Sequence, residues 1–297
     1  MKTSRSAFTL IELLVVIAIV AIIISIVLPG LSAARRNARS TVCLTRLREL
    51  GKGWHNYADE NNDISLPGRM ANLGGGTGNP ANWYQIGNGL KYRPRWAATM
   101  GKSVGVFALS LPSVTDDRQD YDNKVYQCPE APELIDERNY AYGYNHQFLG
   151  NARRSNGKFH NFPVNRSMIA SFGSTVLAAD CMGTAAGIAA ADRMPYDNNG
   201  GAFEALGNHG WTLDPPRLTA TGDKGTGDAG SPRTAVDTRH QDKANVIFAD
   251  GHGEKRTALS LGYSIASDGS FVEADANTRN NDWSGSTRDE DPPEIPS

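Results

Sequence analysis

One stretch limits what this chain can become more than any other. Residues 8–28 read FTLIELLVVIAIVAIIISIVL, 21 residues with a single charge. As a helix, a run of that length crosses a bilayer hydrocarbon core of about 30 Å. Lys2 and Arg5 precede it. A secretory signal peptide would have a shorter apolar core and be cut after it, and Ser32, Ala33 and Ala34 offer small residues for such a cut. A plain signal anchor fits the length equally well. Neither reading accounts for Glu12. A carboxylate inside an apolar run costs roughly 2.5 to 3.5 kcal/mol on the insertion scale, so it needs a partner. Cleavage just before Phe8 would create an α-amine near Glu12 in sequence. In a bundle of identical helices, the amine of one subunit then neutralises Glu12 of the next, and the charge sets register between them.

Pro29 and Gly30 close the run, but a helical pattern resumes at once, so the proline is expected to kink the helix and not to end it. Cys43, Leu47, Leu50, Trp54 and Tyr57 follow at spacings of four, three, four and three. That is one apolar stripe of an amphipathic helix. Arg46, Arg48, Lys52 and Asn56 lie mostly off it. If continuous from Phe8 to Ala58, the helix is about 51 residues and on the order of 76 Å long. Asn61-Asn62-Asp63 is expected to stop it.

Beyond residue 60 the chain changes character. Glycine is abundant, 31 in 297 residues, and recurs with Asn and Asp, which favours short strands joined by turns. Strands are expected at 103–110, 124–127, 174–179, 245–249 and 253–258. Residues 222–231 are expected to form a flexible loop, and 284–297, ending DEDPPEIPS, a disordered acidic tail. Charge is balanced, with 30 Lys+Arg against 32 Asp+Glu, which argues against a nucleic-acid partner. The fold class expected is α+β: a long N-terminal helix, half membrane-spanning and half amphipathic, packed on an antiparallel β-sheet head with long loops.

The opening SRSAFTLIELLVVIAI resembles the type IV prepilin signal: a short basic leader, a small residue, Phe, then Thr-Leu-Ile-Glu and a long apolar run. The resemblance implies a pilin-like division into a leader (1–7), a transmembrane and assembly helix (8–28), an amphipathic continuation (29–60) and an extracytoplasmic head (61–283). It implies cleavage between Ala7 and Phe8 by a prepilin peptidase on the cytoplasmic side, methylation of Phe8, and assembly through Glu12. The family usually has Gly where this chain has Ala7; alanine is also small, so cleavage is still expected. The partners implied are the peptidase, other pilin or pseudopilin subunits and an inner-membrane assembly platform. An N-inside orientation rests on this resemblance alone. Arg35, Arg36 and Arg39 after the span outnumber Lys2 and Arg5 before it, which the positive-inside rule would read the other way.

A second resemblance lies at the far end. RHQDKANVIFADGHGEKR places nine residues between His240 and Asp250-Gly251. Asp-Gly between two such runs is a strong hairpin signal. The arrangement resembles a pilin-like family marked by a C-terminal His, nine residues and Asp-Gly. Members also carry a helix segment like CLTRLRELGKGWHNYADE, a Cys-Pro like Cys128-Pro129 and a YGYN-like segment as at 142–145, and all occur here in that order. The resemblance implies a pseudopilin-like protein of the kind associated with type II secretion.

Some residues carry ligand chemistry. His240, Asp250 and His252 are of ligand type, with Asp180 a companion, although a turn explains Asp250 equally well. Asp268, Asp275 and Asp282 recur every seven residues in a Gly/Asn-rich stretch. They are the candidates for a calcium loop, against the reading of a solvated acidic loop. In an oxidising compartment Cys43 and Cys128 could bridge helix to head, leaving Cys181 free; three buried thiols are the other reading. No enzyme signature is present. Gly101-Lys102-Ser103 has Trp96 where a phosphate loop needs its first glycine, and Tyr92 stands where a dinucleotide fingerprint needs its third. The expectation is a structural filament subunit. The alternative is a membrane-anchored or secreted extracytoplasmic binding protein that uses the leader only for delivery.

Overall fold

The structure is a computed structural model that describes residues 9–115, 118–150, 152–155, 158–161, 164–197, 201–218 and 232–292. Its first element, α1 (Leu10–Glu60), is one unbroken helix of 51 residues that runs through Pro29. Thr9 caps it. The Thr9 side chain accepts from the Glu12 amide, and the Glu12 carboxylate reaches back to the Thr9 amide, a capping box that satisfies two otherwise orphaned donors. At the far end Asn61 donates its amide to the Ala58 carbonyl, and Asn62 and Asp63 turn the chain with positive φ.

The head then runs through a hairpin of β1 (Trp83–Gln85) and β2 (Leu90–Tyr92), two short helices, α2 (Trp96–Thr99) and α3 (Gly101–Val104), and strand β3 (Tyr142–Tyr144). A second hairpin joins β4 (Ala152–Ser155) to β5 (Lys158–Asn161). Strands β6 (Val176–Gly183), β7 (Ala235–Val236), β8 (Ala244–Phe248) and β9 (Gly253–Arg256) complete the order. The main sheet is antiparallel, in the order β3-β6-β8-β9, with β7 also paired to β6. Every residue of β6 and β8 is buried, which is why both read in sequence as largely apolar runs, broken only by Asp180 and Asn245.

The C-terminal half of α1 lies on this sheet. Cys43, Leu47, Leu50 and Trp54 are buried, and Tyr57 is half-buried against the core. Two glycines allow the close approach. A Cβ on Gly51 would meet Ile247 of β8 at 3.3 Å, and one on Gly53 would run into the side chain of Val104 in α3. Each helix-interior glycine costs about 1 kcal/mol relative to alanine, so the close contact must offset that. Polar anchors flank the stripe. Trp54 Nε1 donates to Tyr144 Oη (3.0 Å), Arg46 to the Gln127 carbonyl (2.8 Å) and Arg48 to the Gly253 carbonyl (2.7 Å).

Several expectations need correction. Residues 103–110 are not a strand: α3 occupies their start and turns follow. Residues 124–127 form a single 3-10 turn, Lys124–Tyr126, capped by the Asn123 side chain. Ala108, Leu109 and Tyr126 from these segments enter the core as single side chains instead of through strand pairing. The tail expected from residue 284 is held in place as far as residue 292. Arg217 makes ion pairs with Asp289 (2.8 Å) and Asp291 (2.7 Å), and Asn280 takes up Asp289 and the Glu290 carbonyl. The expected loop at 222–231 lies outside the described residues, as do Ala7 and Phe8.

Candidate assembly helix and buried motif site

Two places in the molecule gather the residues singled out from sequence. The first is the N-terminal half of α1. From Leu10 to Leu28 its large apolar side chains are 47 % to 79 % exposed. By length and composition this is the one helix among the described residues able to cross a membrane. Glu12 sits in its first turn, where one carboxylate oxygen accepts from both the amide and the hydroxyl of Thr9, each at 2.8 Å. The Thr-x-x-Glu spacing that makes this capping box is legible in sequence, and Thr9 belongs with the functional candidates on that ground. Past the span, Arg39 reaches Glu130 of the head at 3.5 Å.

The second place is buried where helix, loop and sheet meet. Cys43 comes from α1. Cys128 comes from a turn in which the Ala131 amide bonds the Cys128 carbonyl. The two are joined as a disulfide with Cα atoms 5.4 Å apart. His240 opens the approach to β8, held by a turn through Gln241 and Asp242, both with φ near +60°; its amide donates to the Lys243 carbonyl. Its Nε2 lies 3.8 Å from Cys128 Sγ and 3.3 Å from Asp180 Oδ2. Asp180, on β6, accepts the Asn245 amide with that same oxygen at 2.7 Å. Asn245 in turn exchanges bonds with Ser40 of α1. All six residues are buried, at 3 % exposure or less. Cys181, next to Asp180 on β6, is a free buried cysteine, and burial pushes its thiol up to about 12.

The rest of the motif does something else. Asp250 and Gly251 lie at the opposite end of β8, so His240 does not meet them. The turn is Phe248-Ala249-Asp250-Gly251, closed by the Gly251 amide on the Phe248 carbonyl at 2.9 Å. Gly251 has φ +87° with open space around it, so backbone conformation, not crowding, selects glycine. Asp250 caps the turn through the His252 amide (2.9 Å) and ring (2.6 Å). The set His240, Asp250 and His252 therefore does not form.

The three aspartates proposed for calcium are not brought together either. Asp268 turns on the amide and hydroxyl of Ser270 at the tip of a loop whose arms meet at Ile265 and Phe271. Asp275 accepts from Ser264 and from the Asn277 and Thr278 amides at the base of that loop. Those bonds hold both carboxyls below the usual range, whereas burial raises that of Asp282. The Asp268 and Asp275 carboxylates each serve their own turn, and the Asp282 backbone carbonyl accepts from the Val176 amide. Among the described residues, the group of His, Cys, Asp or Glu side chains close enough to share an ion is Cys43, Cys128 and His240.

Comparison with known proteins bears on the first site. Residues 2–28 match the family described as Prokaryotic N-terminal methylation motif. A 62-residue stretch, 21 % of this chain, is 47 % identical to the Type IV wide pilus major component PilA4 of Thermus thermophilus. The match covers 47 % of that relative's length. No solved structure matches the chain.

Proposed function

We propose that this protein, type IV pilin-like in its N-terminal motif and long apolar helix, is a structural subunit of a type IV pilus-like or type II secretion pseudopilus filament. The observation that carries the reading is the contrast along α1. A stripe of its second half is buried on its own head, while residues 10–28 offer apolar side chains, one hydroxyl and one carboxylate that no other described residue covers. Such a surface needs lipid or copies of itself.

In this reading a prepilin peptidase cuts between Ala7 and Phe8, and the new amine is methylated. The span holds the subunit in the inner membrane, with the head outside the cytoplasm, until an assembly platform draws it into the filament. Arg35, Arg36 and Arg39 then lie on the outer side. That placement runs against the positive-inside rule, so the orientation rests on the prepilin-type motif. Glu12 already holds the Thr9 amide in the single chain, one residue from the proposed amine. In the filament the carboxylate adds the amine of a neighbouring Phe8, and two paired charges replace one unpaired charge in an apolar bundle.

The test is Glu12→Leu in a strain that assembles the filament. Membrane insertion should be kept or improved, because a charge leaves the span. Recovery of the subunit in sheared filaments should fall about tenfold or more, the equivalent of at least about 1.4 kcal/mol per contact. Filament yield equal to the parent would remove the role assigned to Glu12.

A further inference from the structure

The filament reading uses α1 and leaves the buried cluster of Cys43, Cys128, His240 and Asp180 unexplained. Three of these side chains offer ligand atoms within 4.8 Å of one another. The fourth, Asp180, lies outside that group and must turn inward to reach both sulfurs, although one of its oxygens is already 3.3 Å from His240 Nε2. Its other oxygen, Oδ1, is buried with no hydrogen-bond partner among the described residues. A buried carboxylate oxygen without a donor is costly, and the buried Arg239 guanidinium, within electrostatic reach, directs its Nη2 to the Cys181 carbonyl and Asp237 instead. His240 supplies at most a proton shared with Oδ2.

We propose that, with Cys43 and Cys128 reduced, this cluster is a structural zinc-class site: two thiolates, the His240 imidazole and the Asp180 carboxylate. The residue types are those zinc takes in closed tetrahedral sites, with Zn–S about 2.3 Å and Zn–N or Zn–O about 2.0–2.2 Å. Tetrahedral geometry with those bonds puts sulfur and nitrogen about 3.5 Å apart, and nitrogen and oxygen about 3.4 Å apart. The distances found here are 3.8 Å and 3.3 Å. The two sulfurs, bonded to each other in the oxidised form, need to part to about 3.8 Å, a side-chain rotation at a Cα separation of 5.4 Å. The supporting shell is in place, because the Asn245 amide already orients the Asp180 carboxylate.

The site therefore has two exclusive states that fasten the same point of α1 to the head. In one, the sulfurs are bonded to each other. In the other, a phosphine reductant and water break the S–S bond. The phosphine leaves as its oxide with the water oxygen, and each sulfur takes one of the water protons. Zinc then displaces those two protons and binds both thiolates. A chain that has not yet been oxidised would be pinned by metal where the finished chain is pinned by disulfide.

The experiment uses the untagged full chain in detergent, reduced with a water-soluble phosphine under argon. Alkylation of a denatured aliquot confirms three thiols. Titration with cobalt(II) should give a thiolate-to-metal charge-transfer band and tetrahedral d–d bands that saturate at one equivalent and vanish on adding zinc. Native mass spectrometry should then find one zinc bound and two protons lost. The oxidised chain should show neither. Cys181→Ser should keep the bands, and His240→Ala should weaken affinity about tenfold or more. Absence of a charge-transfer band in the reduced parent would overturn the proposal. So would bands that require Cys181, or that persist in the Cys43→Ser, Cys128→Ser double variant. The parent titration and the Cys181 control carry the test even if the other variants misfold.

Discussion

The two halves of α1 are one continuous helix with opposite relations to the rest of the chain. Between Leu10 and Leu28 the helix is apolar nearly all round and is covered by no described part of the head; between Cys43 and Ala58 it is apolar on one stripe, and that stripe is buried. The difference is written in periodicity. An all-round apolar helix has no preferred face, so it suits lipid or a ring of like helices, whereas a stripe specifies a single partner surface. Trp54, Gly51 and Gly53 fit only against Tyr144, Ile247 and Val104 of this head. In the proposed function the N-terminal half meets partners that exchange, while the C-terminal half keeps one that does not.

The comparison is sharpest where the two halves should respond in opposite ways. Trp54→Ala removes a fully buried ring and the donor to Tyr144, and it should destabilise the head by about 3–5 kcal/mol in chemical denaturation. Ile17→Ala, in the exposed half, should leave the head's unfolding midpoint where it was. A comparable loss from both would mean that the halves are not energetically distinct. Next in size is the tie between helix and head. Cys43→Ser opens a loop of 85 residues, and under oxidising conditions it should cost about 2–4 kcal/mol. No loss relative to the reduced parent is expected, and the difference between the two conditions is the measurement.

Smaller effects test the head alone. Gly251→Val puts a β-branched residue at φ +87° in the β8–β9 turn and should cost about 1–2 kcal/mol. The space around Gly251 is open, so a much larger loss would point to crowding instead. Cys181 should stay unmodified by alkylating reagents at pH 8 while the head is folded. Burial keeps its thiol protonated well above that pH and also blocks access. Rapid native-state labelling would contradict its placement. Millimolar calcium should leave the melting temperature unchanged, because Asp268, Asp275 and Asp282 do not converge; an upward shift would restore the calcium loop.

These contrasts also explain how much could be read from residues. The helix was legible because its pattern is long: an apolar run of 21 residues, then a stripe with four regular spacings. Strand β8 was legible as an apolar run ending at Asp-Gly, β9 as the polar run on the other side of that turn, and β6 as the apolar run that starts at Val176. Strands β1, β2 and β3 have three residues each, too short to establish a period, and β3 was noticed only as a motif. The apolar segment at 103–110 has the composition of a strand, yet it fills space under Gly53 and Gly101. The buried site was legible as residues but not as a site. Cys43, Cys128, Asp180 and His240 are spread over nearly 200 residues, and only the fold brings them together. Within the His240 to Gly251 motif, sequence proximity misled, since its two ends serve different places.

The central claim is that the apolar half of α1 remains in the mature protein as an assembly surface. The most direct test is mass spectrometry of the N-terminus of the protein recovered from its native membrane or filament. The account predicts a chain beginning at N-methylated Phe8, with residues 8–28 intact. A mature chain beginning near Ala34, with the apolar run removed, would contradict it and leave a head delivered by a signal peptide.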